Sequence, residues 1–176
     1  MVFAPVVYRL QQGIRALFAF SQTVDWALAE RYLAPRLLDL FRQMNRDEQL
    51  HSLAVLRDVL AQGDTPAELA EAALLHDVGK SRYPIGVWQK TFAVIIRAIV
   101  PDAYYRWSKG NPLNLLERPF VVYEQHPVWS ADMLRKAGAS ETVCWLVGEH
   151  ATAAEKWQSH PQVEWLRRLQ QADNQN

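Results

Sequence analysis

Apolar residues recur at three- and four-residue spacings along nearly the whole chain, a rhythm that predicts helices. Val6, Val7, Leu10, Ile14, Leu17 and Phe18 keep it near the start, and Trp26 to Met44 continue it with a break at Pro35. Asn45 with Glu48 three residues later has the form of a capping box, predicting a helix to about residue 62 that Gly63 stops. Thr65, Pro66 and Glu68 make a stronger start signal: an N-cap, a proline at the first helical position and a carboxylate reaching back. Gly79 is the expected stop of that helix. Further helices are predicted over 85–100, 113–125, 127–137, 140–150 and 161–172. Strict apolar/polar alternation is absent, so the expected fold class is all-α, a single helical bundle of about seven to nine helices.

Composition narrows the picture. The 176 residues fit one core, and nine prolines and seven glycines are spread without a linker or repeat. With 49% hydrophobic and 22% charged residues, neither a disordered tail nor a fibrous repeat is expected. The longest stretch free of Asp, Glu, Lys and Arg is Ala16 to Val24, far short of the roughly 20 residues of a transmembrane helix. Arg9 and Arg15 interrupt the first apolar stretch, unlike a secretory leader. A single cysteine, Cys144, can form no internal disulfide or thiolate zinc site. A cytoplasmic location is therefore expected, with Cys144, Trp26, Trp145 and Trp165 as core residues.

The formal net charge is zero, which argues against a broad nucleic-acid surface. Its distribution is uneven, however. Residues 45–79 carry two basic and seven acidic groups, and residues 80–118 carry seven and two. An acidic block meets a basic one at residue 80, a layout suited to a small anionic ligand beside a cation site.

Candidate chemistry sits where these patterns cross. His76 falls on the stripe of Leu69 and Ala73, His150 on that of Val143 and Val147, and Asp173 on that of Leu166 and Leu169. Three groups with ligand chemistry thus point where apolar side chains point. Burying such groups unpaired costs several kcal/mol, so they should meet one another or a cation. His76 and Asp77 are adjacent at a helix end, where both can reach one metal or Asp77 can bridge two.

With His51 upstream and His126, His150 and Asp173 downstream, the ordered set resembles the HD-domain superfamily of metal-dependent phosphohydrolases. The local contexts Leu50-His51-Ser52-Leu53, Leu74-Leu75-His76-Asp77-Val78-Gly79-Lys80, Glu124-Gln125-His126-Pro127 and Ala172-Asp173 match as well. The resemblance implies an HD domain over 46–176, with residues 1–45 as a helical extension that packs on it or forms a homodimer seam. It also implies that His51, His76, Asp77 and Asp173 hold one metal, while Asp77 bridges to a second held by His126 and His150. The Gly-Tyr-Pro signature of one binuclear subgroup is absent: Ala151-Thr152-Ala153 follow His150. Four imidazoles and two carboxylates without thiolate suit iron, manganese, zinc, cobalt or nickel. Asp77 and Lys80 are the expected catalytic residues, Lys80 stabilising charge on a phosphoryl group or leaving oxygen.

For the substrate, Arg106, Trp107 and Lys109 are the candidates, beside the loop Gly110-Asn111-Pro112. Lys90 and Arg97 read instead as the solvated face of a helix whose Phe92, Ile95, Ile96 and Ile99 pack inward. Residues 95–107 also have the composition of an interfacial membrane patch. His160 is expected to start the last helix. The implied activity is hydrolysis of a phosphate ester or anhydride of a nucleotide or related small molecule, with two divalent metals. A di-iron oxygenase using the same six ligands and a regulatory HD module are the alternatives.

Overall fold

In the computed structural model of the protein, residues 23–176 are described. The amphipathic stretch expected around Val6 to Phe18 lies outside them. Among the described residues the regular structure is helical throughout. The α-helices are α1 (Trp26–Tyr32), α2 (Pro35–Gln43), α3 (Arg46–Ala61), α4 (Ala67–Leu75), α5 (Val87–Ile99), α6 (Pro101–Trp107), α7 (Arg118–Ala137), α8 (Glu141–Glu149) and α9 (Val163–Gln175). Two short 3-10 turns, Val78–Arg82 and Ala154–Trp157, complete the path. No helix among these residues is long and apolar enough to cross a membrane.

The bundle is organised around α4. Leu69, Ala70, Ala72, Ala73, Leu74 and Leu75 are all buried, so most of this helix is covered, with Glu68 and Glu71 at its open edge. Its alanines let neighbours approach closely, and α3, α8 and α9 all pack on it. Leu53 and Leu56 from α3, Leu146 and Val147 from α8, and Leu166 and Leu169 from α9 share its core. Each fully buried leucine contributes about 1.5–3 kcal/mol. Leu37, Leu38 and Phe41 of α2 join the same cluster, and so does the buried Cys144. Trp145 and Trp165 pack at its margin. Trp26, expected inside, meets Phe41 edge-on at 5.9 Å but stays 39% exposed. A second, smaller cluster of Ala93, Tyr104 and Phe120 joins α5, α6 and α7.

Several local expectations resolve differently in three dimensions. Asn45 makes no side-chain cap, because Glu48 is buried and paired with Lys90 instead of reaching back. Thr65 does not cap α4 either; its hydroxyl donates to the Val59 and Gly63 carbonyls. Gly63, at φ 118°, does end α3, and Gly138, at φ 91°, ends α7. Gly79 is not a left-handed stop. It lies in the first 3-10 turn, and a Cβ there would come within 2.4 Å of the His126 carbonyl oxygen and 2.7 Å of the Ser130 nitrogen. Glycine is needed so that this turn can lie against α7, and Gly79 N donates to Ser130 Oγ at 2.7 Å.

The two helices expected on either side of Pro127 are one, α7, with Pro127 inside it. Residues 113–117 precede this helix, held in turns by Asn111 Oδ1, which accepts from Leu113 N, and Asn114 Oδ1, which accepts from Leu116 N. Helix α6, at Pro101–Trp107, had no counterpart among the predicted helices.

Candidate metal centre

The six residues His51, His76, Asp77, His126, His150 and Asp173 converge from five elements. His51 projects from the middle of α3, and Asp173 from the last turns of α9. His76 and Asp77 follow α4, His126 lies within α7, and His150 ends α8. Their placement depends on how each helix is fastened. Arg168 ties α9 to the α3–α4 connection by donating to Asp64 O at 2.7 Å and Val59 O at 3.1 Å. Gln170 ties the same helix to the end of α8, donating to His150 O at 3.0 Å and Thr152 O at 2.6 Å.

Asp77 stands at the junction. Its Oδ2 faces His76 Nε2 at 3.5 Å and His51 Nε2 at 3.8 Å. Its Oδ1 faces His126 Nε2 at 3.2 Å and His150 Nε2 at 3.8 Å. Asp173 Oδ1 completes the first group, 3.0 Å from His51 Nε2 and 3.5 Å from His76 Nε2. Two sets of ligand atoms result: His51, His76 and Asp77, with Asp173 beside them, and Asp77, His126 and His150. Each trio is compact enough to hold a metal ion.

The orientation of the imidazoles tests that reading. His76 Nδ1 donates to Ala73 O at 3.0 Å, His150 Nδ1 to Val147 O at 2.7 Å, and His126 Nδ1 to Tyr123 O at 2.8 Å. Each bond fixes a proton on Nδ1 and turns Nε2 inward, the atom that would bind a metal ion once it carries no proton. Pro127 assists at His126: lacking an N–H, it leaves the carbonyl of Tyr123, four residues back, free to accept from the imidazole. With the Nδ1 of each ring bound to a backbone carbonyl, His126 Nε2 and His150 Nε2 face each other at 3.2 Å, an arrangement a bound cation would serve. The donor set fits divalent metal.

The electrostatics agree. Burial works to raise the Asp77 carboxyl, but Lys80, His76 and His126 hold it well below the usual carboxylate range. Burial works to lower His76, yet the carboxylates of Asp77 and Asp173 outweigh it and push it up to about 9. The negative potential that draws a proton onto His76 equally draws a metal ion. At His150, burial and then the neighbouring His76 and His126 lower the imidazole to about 3. That ring is neutral, the form a metal takes.

Above these residues lies a cavity of about 1080 Å³ whose lining includes all of them except the buried His76. Lys80, on the first 3-10 turn, reaches Asp77 Oδ2 at 2.5 Å and Glu48 Oε2 at 3.7 Å. The other cavity cations are Lys90, paired with Glu48 and with Asp47 at 2.7 Å, and Arg97, over the rings of Tyr104 and Tyr123 at 5.5 and 5.3 Å.

Here the structure reverses an expectation. Lys90 and Arg97, read as solvated, face the cavity, whereas Arg106, Trp107 and Lys109 are not brought to it. Trp107 is held against Phe120 at 5.1 Å, and Arg106 and Lys109 are exposed. His160 stacks on Trp145 at 3.5 Å, away from the cavity lining. Glu48, Lys90, Arg97 and Tyr123 were missed as site residues. The available signal was that Lys90 and Arg97, seven residues or about two turns apart, share a face of α5 opposite an apolar stripe.

A family model described as HD domain matches residues 49–174. The chain belongs to the HD-domain family. Comparison with curated proteins and with solved structures returns no match. The match begins in α3 and ends in α9, and it takes in all six convergent residues. HD domains are for the most part metal-dependent hydrolases, and the His/Asp clusters of this one fit divalent metal.

Proposed function

We propose that the protein is a metal-dependent phosphohydrolase that cleaves a phosphate ester or anhydride of a nucleotide or related small molecule. The observation that carries this reading is Asp77, which presents one oxygen to each of two imidazole clusters on the floor of a cavity with Lys80 beside it. In this reading His51, His76, Asp77 and Asp173 hold one ion, and Asp77, His126 and His150 hold a second. When bound, two such ions supply an acidified water near neutral pH and polarise phosphoryl oxygens.

The remaining work belongs to the chain. Asp77 sets the spacing of the two clusters, and the Nδ1–H bonds to backbone carbonyls keep the imidazoles aimed. The Lys80 ammonium stabilises charge on the phosphoryl group or leaving oxygen, and Glu48 holds it at the cavity when it leaves Asp77. Arg97, lining the cavity over the rings of Tyr104 and Tyr123, is a cation for an anionic substrate, whereas Lys90 is matched by Asp47 and Glu48. The cavity has room for a nucleotide-sized ligand.

The test is elemental analysis of protein purified without added metal, followed by a panel of nucleotides and phosphodiesters with and without oxygen. The expected result is two metals per chain and phosphate or nucleoside release that proceeds equally under nitrogen. Turnover that requires both iron and oxygen would assign the centre to oxygenase chemistry. Protein that takes up no metal even when folded with it would make the domain a regulatory module.

A further inference from the structure

Helix α5 packs through Ala93 and Ile96, with a polar flank on one side of them and an apolar flank on the other. Lys90 and Arg97 line the cavity, while Trp88, Phe92, Ile95 and Ile99 form one stripe on the other side and are exposed, Trp88 at 87% and Ile99 at 73%. The stripe extends past the helix. Gln89 Nε2 donates to Leu115 O at 3.5 Å, drawing the 111–117 loop alongside, and that loop adds Leu113 and Leu116, the latter 81% exposed. Phe92 meets the buried Phe120 edge-on at 5.8 Å, so the patch is seated on the second core cluster. Scattered exposed apolar residues need no explanation, but a contiguous patch of this kind marks a contact surface.

We propose that this patch seats the protein on an anionic lipid surface. Charge selects that occupant. Exposed Arg106, on α6, and Lys109, just after it, belong to the lobe that α5, α6 and α7 build on the second cluster. A second copy docking through the same patch would set those cations against themselves, because a two-fold interface is self-complementary. Residues 1–22 carry Arg9 and Arg15 with no acidic residue, so they too would bring cations to cations. An anionic bilayer complements both features: the aromatic and aliphatic side chains enter the boundary of the acyl region, and the cations meet head groups. Trp88, at the start of the stripe, is the residue type that favours this boundary. The inference stands apart from the reaction, since the cavity lies on the other side of α5.

The full chain is sedimented with vesicles of phosphatidylcholine alone and of phosphatidylcholine mixed with phosphatidylglycerol. The expected result is partition onto the mixed vesicles that weakens as salt is raised. Ile99→Glu and Leu116→Glu, both at exposed positions, are each expected to lower that partition about tenfold with helical content unchanged. Arg106→Gln with Lys109→Gln should weaken binding to the mixed vesicles only. Failure to sediment with the mixed vesicles, equal partition onto both kinds, or partition indifferent to Ile99→Glu and Leu116→Glu would each overturn the proposal. A concentration-dependent dimer abolished by Ile99→Glu, without vesicle binding, would give the face to a second copy and overturn it as well.

Discussion

The two ligand clusters that share Asp77 differ in exposure, in charge and in the elements they join. In the first, His51 and Asp173 come from α3 and α9 and their side chains are 24% and 30% exposed. In the second, His126 and His150 come from α7 and α8 and are only 7% and 3% exposed. The first adds a carboxylate of its own, Asp173, to its share of Asp77. The second has only its share of Asp77. One half is therefore open and carries a carboxylate of its own, and the other is enclosed and has only the shared one. That asymmetry predicts unequal affinity and exchange at the two positions.

The strongest way to break the comparison is Asp77→Asn, which removes the charge common to both halves. Metal content should fall from about two per chain to none, read by elemental analysis; a variant that keeps one ion would show that the halves do not depend on a shared carboxylate. His126→Ala is narrower and should lower stoichiometry from about two to one. Retention of two ions would remove His126 from the ligand set, and His51→Ala is the matching test of the other half.

Gly79→Ala acts on the scaffold between them. Its Cβ would press on the backbone of His126 and Ser130, so a loss of about 1–3 kcal/mol is expected in denaturant unfolding, with the second half losing metal first. Unchanged stability would mean that the turn and α7 can separate without cost.

The smallest effect is in pH. His76, pushed up to about 9, must lose a proton to bind metal, whereas His150, lowered to about 3, is already neutral. Affinity at the first half should therefore rise by up to about tenfold per pH unit toward pH 9, with the second half changing less. Metal titrations at several pH values check this. In chelator-treated protein the sign is opposite. Because the folded value of His76 lies above its ordinary 6.5, its stabilising contribution is full below pH 6.5 and is lost as pH rises through about 9. Thermal melts across that window should decline, and a flat profile would contradict the charge placement around His76.

Much of the inner architecture was legible because burial and periodicity agreed there. The stripe of Leu69, Ala73 and His76 does face the core, and so do those leading to His150 and Asp173. Helix α5 was misread for a physical reason. An amphipathic pattern separates two faces but does not say which meets the protein, and here the buried Glu48 and nearby Asp47 draw Lys90 inward. Aromatic and basic composition pointed to Arg106, Trp107 and Lys109, but Trp107 is used to fill the second cluster. Pro127 looked like a break because its missing hydrogen bond is visible in the sequence; the imidazole that takes up the freed carbonyl is not. Such pairings belong to tertiary structure, which a linear pattern does not encode.

The contact between His51 and Asp173 joins residues 122 positions apart, whereas Asp77, His126 and His150 lie within a much shorter stretch. Closing the longer loop costs more chain entropy, and the first cluster exists only once α9 has returned to α3. A metal ion held there would latch α9 to α3, while the enclosed cluster can assemble around α4, α7 and α8 beforehand.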